Sequence, residues 1–161
     1  MIAFIPPSHP DLSLDLLAGI LGQMLLDHQE TGSMTCILTD NQQIQQLNRD
    51  YRQKDTPTDV LSFDLRDPVH PEEKPIGEIY ISLEKARMQA ADANRPFQLE
   101  VAHLAIHGTL HLLGYEHDTD AGYTRMRSQE SRYLERLEHV QPPELQRPTY
   151  CGRSVRPRGR S

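Results

Sequence analysis

Apolar positions along the chain change period several times, and the changes mark out its elements. The opening "IAFI" predicts a short first strand, and "MTCILT" (34–39) is apolar and β-branched enough for a sheet interior. Between them, "DLSLDLLAGILGQMLLDHQ" sets Leu14, Leu17, Leu21 and Met24 at helical spacing, which predicts a helix with one buried face. Asp40 suits a helix N-cap, and Ile44, Leu47 and Tyr51 then repeat every three to four residues. "DTPTD" breaks that helix, "VLSFDL" reads as a third strand, and the proline-rich "RDPVHPEEKP" leads into a fourth, "GEIYIS". Ser82 starts a helix over "LEKARMQAADAN", which Asn94-Arg95-Pro96 ends. Two further helices cover about 97–113 and 119–139. The pattern predicts an α+β (mixed α/β) fold, about four strands in a mixed sheet packed with about five helices. No internal repeat is visible.

Length and composition narrow the class without naming a chemistry. At 161 residues the chain is about one domain long, and 37% hydrophobic with 25% charged residues is a soluble globular balance. No window approaches the roughly 18 apolar residues that span a membrane. The start lacks the basic region and apolar run of a secretion signal, which predicts a cytoplasmic protein. Cys36 and Cys151 stand far apart, against a disulfide framework or a thiolate metal cluster.

Charge divides the chain. Residues 145–161 hold five arginines (147, 153, 156, 158 and 160) and no acid, while the other 12 basic and 23 acidic residues give the body −11. We expect one folded domain over 1–140 and a Pro/Arg-rich, disordered basic tail over 141–161. Such a tail reads equally as an electrostatic arm for nucleic acid or as a solubilising terminus.

The stretch "HGTLHLLGYEHD" (107–118) holds three of the eight histidines. From Phe97 to Leu113 nearly every residue is apolar, so this helix is expected in the core. Its conspicuous polar residues, Glu100, His103, His107 and His111, fall within an arc of about 80° at 100° per residue. Buried imidazoles and carboxylates are costly without partners, so the stripe calls for an explanation. His107 and His111 are one turn apart, about 6 Å between Cβ atoms, and so able to converge on one ion. Gly114 allows a sharp exit from the helix, which can bring His117 back as a third ligand. Three protein ligands and an open position are the pattern of a catalytic zinc rather than a structural one. His103 lies too far from the return loop to share that ion; it reads either as an orienting group or as a hydrogen-bonded core histidine.

His-x3-His-x5-His with glycine at the seventh offset is also the spacing of the metzincin proteases. Those enzymes need a glutamate directly after the first histidine as general base, and here that position is Gly108. The cradle is zincin-like, but the base is missing, which demotes peptide hydrolysis.

Together, "HGTLHLLGYEHD" and "YRQKDTPTDVLSF" resemble the bacterial YbeY endoribonuclease family, over roughly residues 34–140 and including "GEIYIS". Glu116 and Glu78 stand where that pattern commonly has Asp, which keeps the charge and adds one methylene. The resemblance implies one Zn2+ held by His107, His111 and His117, and an important arginine at Arg52. It also implies single-strand-specific RNA cleavage, maturation of the small-subunit ribosomal RNA 3′ end, and ribosome quality control. The partners implied are single-stranded rRNA and the ribosome or its small subunit, with ribosomal proteins, and neither DNA nor membrane.

The residues agree with that chemistry. Phosphodiester cleavage needs charge stabilisation more than a covalent nucleophile, and a planar guanidinium at Arg52 suits phosphate. Arg52 reads otherwise as a surface salt bridge to Asp50 or Asp55. Thr58, Asp59 and Ser62 line a cleft or simply form a turn and edge strand. His107 is also a candidate for proton transfer, since ligand and catalytic roles do not separate at this level. The rival readings are a metalloprotease with a base at Glu100 or Glu116, and a non-catalytic assembly factor in which zinc staples the helix to its return loop.

Overall fold

The computed structural model describes residues 1–53, 58–70 and 75–138. Among them run β1 (Ile2–Ile5), α1 (Leu14–Asp27), β2 (Ser33–Thr39), α2 (Asn41–Arg52), β3 (Val60–Asp64), β4 (Pro75–Ser82), α3 (Leu83–Ala93), α4 (Phe97–Leu112) and α5 (Asp120–Glu138). The strands and helices read from periodicity are all present. Asp40 and Ser82, the two expected helix starts, accept the backbone N–H of Gln43 and Lys85, and Ser13 does the same for Leu16 at the head of α1. The expected tail over 141–161, with Cys151, lies outside the described residues.

The sheet order is β1-β2-β4-β3. β1, β2 and β4 are parallel, and β3 runs antiparallel to β4 as the edge, so the sheet is mixed. One face carries Met34, Cys36 and Leu38 from β2 with Ile79 and Ile81 from β4, all buried. The largely apolar helix α4 covers this face, as its composition requires: twelve of its sixteen residues are buried.

Two glycines let α4 lie unusually close. A Cβ at Gly77 of β4 would stand 2.6 Å from both Leu112 Cδ2 and the Phe63 carbonyl oxygen. One at Gly108 of α4 would stand 2.9 Å from Ile79 Cγ2 and 3.0 Å from Ser62 Oγ. The Ser62 hydroxyl donates to the Gly108 carbonyl at 3.0 Å, so strand and helix are joined at the closest point.

Tyr51 departs from the expected buried face of α2. It is 69% exposed, while Ile44 and Asn48 hold the buried positions. The last turn of α2 reaches only the edge of the sheet, where the Tyr51 ring meets Phe63 edge-on at 5.6 Å. α5 packs against α4 and α1 and buries Met126, Glu130, Tyr133 and Leu137. The Tyr133 hydroxyl donates to Asp27 Oδ2 at 2.7 Å and ties α5 to the end of α1.

The glycine contacts set a testable contrast. Gly77→Ala pushes a methyl against a backbone oxygen and should cost about 1–3 kcal/mol of stability. Gly19, exposed in α1 with nothing within 4 Å of its added Cβ, should gain up to about 1 kcal/mol as Gly19→Ala. Thermal unfolding of both variants reads the opposite signs directly.

Candidate metal centre

α4 presents His107 and His111 on one flank, and the chain reverses immediately after it. Gly114 takes φ +100°, a left-handed conformation natural to glycine, and the Tyr115 N–H closes back on the Leu110 carbonyl at 3.0 Å. His28 fixes the next residue. Its Nδ1 donates to the Met24 carbonyl at 2.8 Å, which leaves Nε2 to accept the Tyr115 hydroxyl at 2.9 Å. From the far side, Gly122 of α5 packs so tightly that a Cβ there would be 2.5 Å from the Glu116 carbonyl oxygen. The loop carrying His117 is therefore gripped by α1 and α5.

This grip brings three imidazoles together. Ring centroids lie 4.7 Å apart for His107 and His111, 5.7 Å for His107 and His117, and 5.1 Å for His111 and His117. One nitrogen from each lies within 4.8 Å of the other two. His107 Nε2 and His111 Nε2 are 3.2 Å apart, close to the roughly 3.4 Å expected of two nitrogens that each lie 2.1 Å from a tetrahedral zinc. Burial, then the neighbouring His107 and His117, lower the pKa of His111 and favour the neutral imidazole that ligates metals. His117 is exposed, so the cluster faces solvent on that side.

Glu130 of α5 stands behind the cluster. Its Oε2 accepts His107 Nδ1–H at 2.6 Å and its Oε1 accepts His103 Nε2–H at 3.0 Å. Burial pushes the carboxyl upward, but hydrogen bonds from His103 and His107, and their charges, outweigh it and hold the pKa at about 2. The ionised carboxylate fixes the proton of His107 on Nδ1 and leaves Nε2 a lone pair directed at the cluster. His103 is thus an orienting partner of Glu130 and not a fourth member of the triad.

The remaining candidates separate clearly. Arg52 ends α2 and donates from Nη2 to the Ser62 carbonyl at 3.3 Å, and its charge is felt at His111. Asp50 pairs with Arg49 at 3.6 Å, not with Arg52, and Asp55 lies outside the described residues. Glu100 is buried in an ion pair with Arg95 at 3.5 Å. Glu116 is exposed on the return loop. Sequence reasoning missed Glu130, although a carboxylate four residues after Met126 and three before Tyr133 interrupts an otherwise apolar helix stripe.

Fold and site define an α+β protein with a three-histidine centre suited to hydrolytic chemistry. A family model described as Endoribonuclease YbeY matches residues 14–138. An Endoribonuclease YbeY of Desulfitobacterium hafniense is 40% identical over 143 residues, covering 81% of this chain and 91% of its own. One from Carboxydothermus hydrogenoformans is 42% identical over 124 residues, covering 77% and 85%. The solution structure of TM1509 from Thermotoga maritima shares the fold with a TM-score of 0.59 at 29% identity, covering 84% of this chain and 87% of that one. The chain belongs to the YbeY family of endoribonucleases.

The Glu130 geometry makes a prediction. Glu130→Gln should weaken metal binding about 10-fold to 100-fold, because the His107 proton is no longer held on Nδ1 by a carboxylate. Competition against a chromophoric chelator measures this, and an unchanged affinity would show that the contact orients nothing.

Proposed function

We propose that this protein is a zinc-dependent, single-strand-specific endoribonuclease of the cytoplasm that acts on ribosomal RNA. Its task is maturation of the small-subunit rRNA 3′ end and ribosome quality control, with the ribosome or small subunit and its proteins as partners. The single observation that carries the reading is the His107–His111–His117 cluster, with the Arg52 guanidinium bonded to Ser62 of β3 and near enough for its charge to act on His111, in a family of endoribonucleases. No described helix is long and apolar enough to cross a membrane.

His107, His111 and His117 would hold the ion, which when bound supplies a Lewis acid for a phosphoryl oxygen. Arg52 directs a two-pronged donor at the same phosphate, and its bond to the Ser62 carbonyl limits where the guanidinium can swing. Both ring nitrogens of His107 are engaged, one at the cluster and one on Glu130, so the ionised carboxylate keeps the proton on Nδ1 and steadies the ring while Nε2 faces the cluster. Gly108 supports phosphate over peptide chemistry: a glutamate there would collide with Ile79 and Ser62. The acidic body disfavours indiscriminate RNA binding and leaves attraction to local groups and to the arginines of the tail.

Purified, metal-analysed protein should cut single-stranded RNA and leave duplex RNA and casein intact. His111→Ala should abolish cutting, and Arg52→Ala should slow it about 100-fold to 1000-fold, as for loss of one charge-stabilising donor. Cutting that persists in both variants, or casein hydrolysis lost in His111→Ala, would overturn the reading.

A further inference from the structure

A cavity of about 260 Å3 opens beside the histidine cluster, lined from β3's start, α3, α4 and α5. His107 and His117 line it, and so do Asp59 and Gln89, with Leu104 and Met126 as apolar surface. Its size lies near the lower end for small-ligand sites, about 300 Å3, and suits one flat ring system.

Asp59, Glu100 and Glu130 give the cavity an acidic lining. Glu100 is committed to Arg95, and Glu130 to two histidines. Asp59 accepts from Gln89 Nε2 at 3.3 Å and makes a long contact with the Thr58 hydroxyl at 3.5 Å. A carboxylate offers about four acceptor positions, so Asp59 retains capacity for an incoming donor. Its backbone carbonyl accepts the Ser82 N–H at 2.9 Å, which ties it to the β4–α3 junction, while Gln89 sets the carboxylate's rotation. Beside the Asp59 carboxylate an uncharged donor with a flat apolar face is accommodated better than a phosphate.

The cavity also carries a stacking surface. Tyr123 is half-exposed, and Arg127 Nη1 donates to its hydroxyl at 3.1 Å with the guanidinium 5.7 Å from the ring centroid. Aromatic rings and arginine planes are the usual supports for unstacked bases of single-stranded RNA.

We infer that this cavity holds an unstacked guanine next to the phosphate at the metal centre, with Asp59 accepting from its N1–H and N2 amine. The inference rests on the endoribonuclease reading above. Guanine's Watson–Crick edge carries two adjacent donors that match one carboxylate. Adenine and cytosine set a bare ring nitrogen beside their amine, and uracil flanks its single N–H with carbonyls, so each turns a lone pair toward Asp59. A base held in a duplex cannot enter, which fits a single-strand preference.

Two measurements on the full metal-loaded chain test this. By calorimetry, guanosine 5′-monophosphate should bind about tenfold or more tightly than inosine monophosphate, which lacks the N2 amine, and than adenosine monophosphate. Asp59→Asn should reduce that preference below about twofold with metal content unchanged, and Gln89→Leu should weaken it by releasing the carboxylate. In single-stranded RNAs with one variable position, wild-type cuts should cluster beside guanosine, and Asp59→Asn should lose the bias while still cutting elsewhere. Equal binding of the three nucleotides, or a preference that survives in Asp59→Asn while RNA is still cut, overturns the base pocket and leaves the endoribonuclease reading standing. Absence of any RNA cleavage removes that reading and the RNA occupant with it, even if a guanosine preference remains. A second metal equivalent lost in Asp59→Asn would overturn the inference in favour of an ion site.

Discussion

Because Gly77 and Gly108 carry no side chains, α4 rests against β3 and β4 at backbone distance, and the direction of every other residue on that helix follows. The flank at Gly108 is pressed flat on the sheet and bonded to Ser62. Successive residues of a helix are turned by about 100°, so the flank bearing Glu100, His103, His107 and His111 is rotated away from the strands and toward α5 and the return loop. The missing side chain at position 108 is therefore a packing requirement as much as a chemical one. A helix seated this deeply has no room for the base that a peptide-cleaving zinc site would place there.

The turned-out flank needs its own partner, and α5 supplies it. Glu130 sits in a stripe otherwise made of Met126, Tyr133 and Leu137, where a lone carboxylate would be costly. Both of its oxygens are met by imidazole N–H groups from α4, and the Tyr133–Asp27 bond holds the helix in register from the opposite end. The polar pairing thus specifies how α5 docks, and docking in turn holds His107 in the rotamer that faces the cluster.

Much of this was legible in the sequence, and the boundary is a matter of distance along the chain. Helix starts at Asp40 and Ser82, the exit at Gly114 and the converging histidines depend on residues within about ten positions of one another, where helix geometry alone fixes relative placement. Glu130 meets its histidines across 27 and 23 residues, and Gln89 meets Asp59 across 30. No local periodicity predicts those encounters; they require knowing that α5 and α3 flank α4. Tyr51 shows the opposite failure: its spacing after Ile44 is helical, but the sheet ends before it can be covered.

The tight turn at Gly114 has a kinetic side. All three candidate ligands lie within eleven consecutive residues, two of them on a single helix, so closing the triad fixes only a short segment of chain. Loop-closure entropy grows with the logarithm of loop length, and here the third ligand follows the second by only six positions. The triad is thus a low-contact-order feature inside a fold whose sheet is built from distant strands. The helix and turn that carry its histidines can form on the timescale of local structure, and the docking of α1 and α5 then locks the three rings in place.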